Sequence, residues 1–254
     1  MKKIFATFIS TFFFVGTFAQ VELKQQFSEA TNSLKKGDFE NAVKQFTAVY
    51  DKATEPKVKK FALIYRGFAK NGLNEFTSAI ADFDKAIELD PDDLGTYIDR
   101  GQSHTYANNF DAAVKDFKFV LSKDSVDKQG QNALFHLAGI AYKKGQFELS
   151  VSFYDKLILL TPGDYELYFN RGAAKDMIMD SQGSIKDYDK AIELKPDYKE
   201  AYANRGVAKI NLLRRTKGNL FPTKEQTKDA CSDLKKAKQL GDNAVDDMIF
   251  VHCK

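Results

Sequence analysis

The sequence repeats itself at a fixed period of 34 residues. Residues 82–101 (DFDKAIELDPDDLGTYIDRG) and residues 187–206 (DYDKAIELKPDYKEAYANRG) are identical at 12 of 20 positions. Gly67 and Gly101 lie 34 residues apart, whereas Gly101 and Gly172 lie 71 apart, which is two periods plus three inserted residues. Because self-similarity at such a period is typical of stacked copies of one supersecondary unit, the repeat limits the possible folds more than any other feature.

Each copy contains two helical patterns separated by a turn. Apolar or small residues stand at copy positions 20, 21, 24, 27 and 28, and spacings of three and four mark one face of a helix. The residues at the turns are Gly37, Asn74, Asn108 and Gly145. The copies span residues 23–56, 60–93, 94–127, 131–164, 165–198 and 199–242. We therefore expect six helix pairs, and no pair is able to bury its apolar face alone.

The unit resembles the tetratricopeptide repeat, with Gly at position 8, Ala at position 20, an aromatic residue at 24, Ala at 27 and Pro at 32. The resemblance covers roughly residues 23–242, although Tyr or Leu replaces the family's Trp at position 4. The first copy departs from the pattern, with Ala30 at position 8 and Thr54 at position 32. The resemblance implies an all-α fold, a right-handed superhelix (α-solenoid) of six helix–turn–helix units closed by a C-terminal helix.

The same resemblance implies a binding groove. In the family, the first helices of the repeats line a concave wall, and this wall accommodates a peptide or a helix. The positions that match this wall give the following candidate ligand-binding residues: Ile64, Phe68, Asn71, Gln102, Tyr106, Phe135, Tyr142 and Phe169. The resemblance therefore implies a non-catalytic protein–protein interaction scaffold without a cofactor, whose partner is a protein or a peptide. The aromatic residues fit packing between repeats equally well.

The N-terminus differs from the repeats. Residues 1–19 contain a basic start, an uncharged Phe-rich run, and small residues at Thr17 and Ala19, which together predict a secretory signal peptide. An uncleaved N-terminal anchor is the alternative. No other segment is apolar enough to span a membrane. The export signal, together with the lack of a glycosylation sequon, predicts an exported protein of a bacterial envelope, periplasmic or extracellular. The formal net charge of +3 is too small for a general nucleic-acid-binding protein.

Catalytic and metal-binding patterns are missing from the sequence. It contains three His, at His104, His136 and His252, in no metal-binding spacing, and two Cys, which are too few for a four-ligand zinc site. We therefore predict that the protein is not an enzyme. Three alternatives stay open: an enzyme whose site lies in the groove, a carbohydrate- or cell-wall-binding array, and a regulatory subunit of an envelope enzyme complex.

The last copy is interrupted near residues 214–225, because its position 20 falls at residue 230 instead of 218. The insertion begins with a basic, turn-rich stretch, residues 214–222, which fits either a solvated loop or a contact with an acidic partner. Thr223 and Gln226 then have the spacing of a helix capping box.

The two cysteines lie at equal distances from the turn at residues 241–243, which separates the last copy from a final amphipathic helix, residues 243–254. In an antiparallel helical hairpin, Cys231 and Cys253 therefore face each other. An even number of Cys behind an export signal favours pairing, so we predict a Cys231–Cys253 disulfide. The alternative is that both are small buried apolar residues.

Overall fold

A computed structural model of the protein describes residues 18–123, 126–218 and 222–253. The predicted signal peptide lies outside these residues, apart from Phe18 and Ala19 at the start of the first helix. Regular structure in the described residues is entirely helical, which confirms the all-α prediction. The α-helices are α1 (Phe18–Lys36), α2 (Phe39–Lys52), α3 (Pro56–Gly72), α4 (Phe76–Leu89), α5 (Leu94–Tyr106), α6 (Phe110–Lys123), α7 (Lys128–Lys143), α8 (Phe147–Leu160), α9 (Tyr165–Met177), α10 (Ser181–Leu194), α11 (Lys199–Lys217), α12 (Lys224–Gln239) and α13 (Asp246–His252).

The helices belong to two compact units, one ending at residue 133 and the other beginning at residue 134. In the first unit, consecutive helices from α1 to α6 pack against each other. In the second unit, α8 to α13 pack in the same sequential way. Sequential packing of helix pairs is the arrangement that the 34-residue repeat predicts.

The turns within the repeats have the backbone conformation that their residues favour. Gly37 and Gly145 have φ angles of 79° and 73°, and Asn74 and Asn108 have φ angles of 62° and 59°. Glycine adopts this left-handed conformation without steric cost, and Asn tolerates it better than most residues. All four turn residues predicted from the sequence therefore occupy left-handed positions.

Glycine at repeat position 8 allows the two helices of a repeat to approach closely. A Cβ atom at Gly67 would lie 2.7 Å from the Phe83 ring, and one at Gly101 would lie 2.8 Å from the Phe117 ring. At Gly172, a Cβ atom would lie 2.9 Å from the Tyr188 ring. In each case the large side chain is at position 24 of the same repeat, so these two positions form one packing unit.

Replacement of Gly172 by Leu is expected to lower the free energy of unfolding by about 1–3 kcal/mol or more, because the added atoms overlap the Tyr188 ring. Gly139 provides a matched control in the same compact unit. It also lies inside a first helix, but a Cβ atom there meets nothing within 4 Å. Gly139→Ala should therefore raise the stability by up to about 1 kcal/mol through helix propensity. Urea unfolding followed by circular dichroism checks both values, and equal effects would contradict the packing role of position 8.

Buried ion pairs hold neighbouring repeats together within each compact unit. An Arg at repeat position 7 contacts an Asp at position 23 of the same repeat through two parallel hydrogen bonds. The pairs are Arg66–Asp82, Arg100–Asp116, Arg171–Asp187 and Arg205–Asp233. The remaining Nη1 group of each Arg donates to position 25 of the preceding repeat, at Thr47, Asp84, Asp155 and Asp189 respectively. Each Arg thus connects three helices.

In three of these repeats a Lys at position 11 supplies the buried Asp with a second cation. Lys70, Lys175 and Lys209 lie 2.7 Å, 2.8 Å and 2.8 Å from Asp82, Asp187 and Asp233 respectively. The third repeat has His104 at this position instead. The fourth repeat has Leu137 and Phe153 at positions 7 and 23, so an apolar pair replaces the ion pair there.

The insertion in the sixth repeat differs from the expected solvated loop. Its first residues continue α11 to Lys217, and Gly218 ends the helix in the left-handed conformation. The Arg214 guanidinium lies 3.3 Å from Nε2 of His252, and Arg215 donates to the backbone carbonyl of Met179. These two arginines therefore lie on a helix instead of a loop, and Arg215 is exposed to solvent.

The C-terminal segment packs on the last repeat as predicted. Thr223 and Gln226 form the expected capping box at the start of α12. A short 3₁₀-helix, Asn243–Val245, precedes α13, and Val245, Met248 and Ile249 pack against the apolar cluster between α11 and α12. Cys231 and Cys253 lie side by side in the arrangement of a disulfide, with Cα atoms 5.6 Å apart.

Candidate functional site

The predicted ligand-binding residues of the first compact unit divide into buried and accessible groups. Ile64 is only 7% exposed and belongs to the core between α3 and α4. Phe68 packs against the Phe83 ring, with centroids 5.7 Å apart, and is partly buried. Tyr106 is 46% exposed, and Gln102 is partly exposed. Of these four side chains, Tyr106 and Gln102 offer surface to a partner, whereas Ile64 serves packing.

Asn71 is held between two first helices of the first unit. Its Nδ2 group donates to Oγ of Ser103 at 2.8 Å, which links α3 to α5. Its Oδ1 atom is buried without a hydrogen-bond partner in the described part of the chain. Buried acceptors are normally satisfied, so this oxygen is a candidate contact for a ligand.

The second compact unit contains a cavity of about 340 Å³ between α7, α8 and α9. The lining residues are Gly139, Tyr142, Lys143, Tyr154, Asn170 and Ala173. Of the predicted residues, Tyr142 lines this cavity and is 36% exposed. Gly139 lies in the cavity wall, and a Cβ atom at this position would meet nothing within 4 Å.

Two further predicted residues lie beside this cavity or in the packing behind it. Phe135 is 36% exposed and makes an edge contact with the ring of Tyr154, with centroids 6.3 Å apart. Phe169 packs against Tyr188 and Tyr198, with centroids 5.8 Å and 4.9 Å away. Phe135 therefore extends the accessible aromatic surface near the cavity, whereas Phe169 fills space between α9 and its neighbours.

The cavity provides neutral donors and one cationic residue. Burial, together with the neighbouring Tyr142, raises the pKa of Tyr154 to about 12, so its hydroxyl stays protonated at physiological pH. Burial lowers the pKa of His136, on the same helix as Gly139, to about 4, so this imidazole is neutral. Phenol, amide and ammonium groups beside aromatic rings are suited to binding a side chain and the carbonyl groups of a peptide.

The residues that line the cavity include no carboxylate, Cys or His. Among the residues that the structure describes, no group of His, Cys, Asp and Glu side chains is placed to hold a metal ion. None of the helices in this part of the chain combines the length and the apolar character needed to cross a membrane.

Sequence reasoning missed a polar network behind the second unit's cavity. The Tyr188 hydroxyl donates to Oδ2 of Asp176 at 2.7 Å and also hydrogen-bonds the side chain of Asn204. Asn204 is at repeat position 6, and Asn170, in the cavity wall, is at the same position one repeat earlier. The recurrence of Asn at position 6 is visible in the sequence. Whether that Asn joins a hydrogen-bond network depends on the side chains at positions 12 and 24 of the preceding repeat.

Comparisons with known proteins agree with this geometry. Two family models of the tetratricopeptide repeat match the chain, one over residues 66–93 and the other over residues 98–165. Tetratricopeptide repeat protein 16 of Mus musculus is 25% identical over 183 residues. That match covers 69% of this chain but only 23% of the mouse protein, so the chain spans about a quarter of its length.

Solved structures show the same fold at low sequence identity. The C-terminal part of a TPR repeat-containing protein from Cytophaga hutchinsonii superposes with a TM-score of 0.67 at 17% identity, covering 84% of this chain and 78% of that one. YrrB, described as a TPR protein with an unusual peptide-binding site, superposes with a TM-score of 0.57 at 21% identity, covering 79% of this chain and 94% of that one.

Proposed function

We propose that this chain, which belongs to the tetratricopeptide repeat family, is a non-catalytic scaffold that binds a peptide or a helix of a partner protein in the cell envelope. Tetratricopeptide repeat proteins are protein-interaction scaffolds. The observation that carries the proposal is the cavity of about 340 Å³ in the second compact unit, with Tyr142 and Phe135 accessible at or beside it. Its size suits one large peptide side chain, and its lining combines apolar surface with fixed polar groups.

Filling the cavity provides a direct test. Gly139→Leu places a branched side chain in the cavity without overlapping a neighbour at its Cβ atom. Against peptides selected from a randomised peptide library displayed on phage, this variant is expected to bind at least about tenfold more weakly than the unchanged protein. Fluorescence anisotropy measures the affinities, and circular dichroism checks that the variant keeps its helical content.

Leu159→Gln is the matched control. Leu159 is a large apolar residue on α8, is 84% exposed, and does not line the cavity. Its replacement should leave peptide affinity unchanged. A library from which the protein retains no peptide, or peptides that bind Gly139→Leu and the unchanged protein equally well, would contradict the proposed site.

Export to the envelope is the second part of the proposal, and it is supported by the basic, apolar and small-residue pattern of residues 1–19. Expression of the full chain in a bacterium should yield a processed protein that begins at Gln20. Intact-mass measurement of the envelope and cytoplasmic fractions checks this expectation. An unprocessed chain found only in the cytoplasm would contradict it.

A further inference from the structure

In the fifth repeat, a tyrosine at position 24 is paired with an acid at position 12. The Tyr188 hydroxyl donates to Oδ2 of Asp176 at 2.7 Å, and the Tyr188 side chain is fully buried. Buried phenol groups are normally hydrogen-bonded, because a polar group that leaves water without finding a new partner costs free energy. Asp176 therefore supplies the acceptor that compensates the burial of Tyr188.

The fourth repeat keeps this tyrosine but lacks the acid. Tyr154 stands at position 24 and is 5% exposed, whereas position 12 holds Tyr142. Among the residues that the structure describes, none forms a hydrogen bond with the Tyr154 hydroxyl. With a tyrosine in place of the acid, this buried donor has no acceptor within the described chain.

The unpaired tyrosine lies in the wall of the cavity in the second compact unit. Tyr154 and Asn170 both line this space of about 340 Å³. The Asn170 side chain is half-buried, and its amide also makes no hydrogen bond to another described residue. One phenol and one amide are therefore available to donate hydrogen bonds to an acceptor that enters the cavity.

The charge of the lining matches an anionic acceptor. Lys143 carries the only charge among the six lining residues, and no carboxylate there opposes a negative group. Burial, together with the neighbouring Tyr142, raises the pKa of Tyr154 to about 12, so its hydroxyl remains a donor at physiological pH. Hydrogen bonds to an ionised acceptor are about twice as strong as those between neutral groups, and a nearby cation lowers the cost of burying the anion.

We propose that the cavity binds the carboxylate of an Asp or Glu side chain in the bound peptide, with the Tyr154 hydroxyl and the Asn170 amide as its hydrogen-bond donors. The ligand carboxylate takes the role toward Tyr154 that Asp176 takes toward Tyr188. This carboxylate site rests on the proposed peptide-binding function and specifies its ligand as an acidic peptide.

A double-mutant cycle tests this contact with peptides selected from the same phage library and synthesised with amidated C-termini. The selected peptides are expected to share an Asp or Glu whose replacement by Asn or Gln weakens binding at least about tenfold. Tyr154→Phe should weaken binding of the acidic peptide by a similar factor and should have little further effect on the amide form. Such coupling is the signature of a direct interaction between the two groups.

Tyr168→Phe is the matched control. Tyr168 lies on α9 in the same compact unit and does not line the cavity, and its hydroxyl donates to the Pro162 carbonyl at 3.1 Å. This variant also loses a phenol hydroxyl, and it should leave the affinity for the acidic peptide unchanged.

Stability without peptide separates the binding role from a structural one. Because the Tyr154 hydroxyl has no partner in the described chain, Tyr154→Phe should unfold at the same urea concentration as the unchanged protein or at a higher one. Phe is the natural residue at this position in the second and third repeats, at Phe83 and Phe117. Tyr188→Phe removes the bond to Asp176 and should unfold at a lower urea concentration. Equal losses for the two variants would contradict the inference, because the Tyr154 hydroxyl would then have a partner within the folded chain.

Three outcomes of the binding experiment overturn the inference in distinguishable ways. Peptides that lose affinity for Gly139→Leu but bind Tyr154→Phe unchanged would disprove the carboxylate site and leave the proposed function standing. Peptides whose acidic and amide forms bind equally well would assign a neutral carbonyl as the acceptor, with the same consequence. A protein that retains no peptide from the library would disprove the proposed function, and the carboxylate site with it.

Discussion

Replacement of Arg100 by Met is expected to lower the free energy of unfolding by about 3–5 kcal/mol, because it leaves a buried carboxylate without a cation. Asp116 is 5% exposed and receives two hydrogen bonds from Arg100, at 3.0 Å and 2.6 Å. The residue that holds a second cation in other repeats is His104 here. Burial lowers the pKa of His104, so in the unchanged protein Arg100 is the cation that compensates Asp116.

Arg66→Met is the matched comparison in the same compact unit. Arg66 contacts Asp82 in the same bidentate manner, but Lys70 also lies 2.7 Å from that carboxylate. Its removal therefore leaves Asp82 paired, and the loss of stability should be smaller than for Arg100→Met by more than about 1 kcal/mol. Urea unfolding measures both variants, and equal losses would show that the Lys contributes no compensation.

Two further measurements separate charge from packing. Because the positive charge of Arg100 also lowers the pKa of His104, that pKa should rise in Arg100→Met, which nuclear magnetic resonance titration detects. The double variant Arg100→Leu/Asp116→Phe should recover most of the stability, because an apolar pair often replaces a buried ion pair at no net cost. The fourth repeat already holds Leu137 and Phe153 at the same two positions.

The repeated ion pair could have been found in the sequence. Arg and Asp recur 16 residues apart at Arg66 and Asp82, at Arg100 and Asp116, and at Arg171 and Asp187. In the sixth repeat the spacing between Arg205 and Asp233 becomes 28, because twelve inserted residues separate the two helices. An ion pair whose spacing shifts by the length of an insertion is a strong signal, but it becomes visible only when charged residues are compared across repeats as carefully as apolar ones.

Helix number and helix contacts followed from the sequence because they depend on local periodicity and on pairs of residues within one repeat. Gly172 and Tyr188, for example, are both fixed by the same repeat register. The residues of the candidate site were predicted less accurately from the sequence. The repeat pattern assigned both Tyr142 and Phe68 to the groove. In the structure, Tyr142 lines a cavity, whereas Phe68 packs on Phe83. The difference arises from neighbours that the repeat register does not specify, because Gly139 occupies in the fourth repeat the position that Phe68 holds in the second.

Asp99 shows the same limit. At one repeat position Tyr65, Asp99, His136, Asn170 and Asn204 follow one another, and the sequence alone does not rank them. The Tyr188 hydroxyl that contacts Asn204 has no counterpart at Phe83, in the repeat that precedes Asp99, so residues at this position have different surroundings.

Reduction of the Cys231–Cys253 disulfide is expected to lower the free energy of unfolding by about 3 kcal/mol. The pair joins residues 22 positions apart, and the loss of this crosslink increases the chain entropy of the unfolded state. The bond fastens α13 to α12, where Val245, Met248 and Ile249 cover the apolar face of the last repeat. Urea unfolding with and without dithiothreitol measures the effect.

The replacement Cys231→Ala/Cys253→Ala separates loss of the crosslink from other effects of the reductant. This variant should unfold at the midpoint of the reduced protein and should not respond to dithiothreitol. The α13 segment retains a second attachment, because Oγ1 of Thr227 donates to the His252 carbonyl at 2.9 Å. The segment is therefore expected to stay helical without the disulfide, at lower stability. Two free thiols in the exported protein, found by alkylation and intact-mass measurement without reductant, would contradict the pairing.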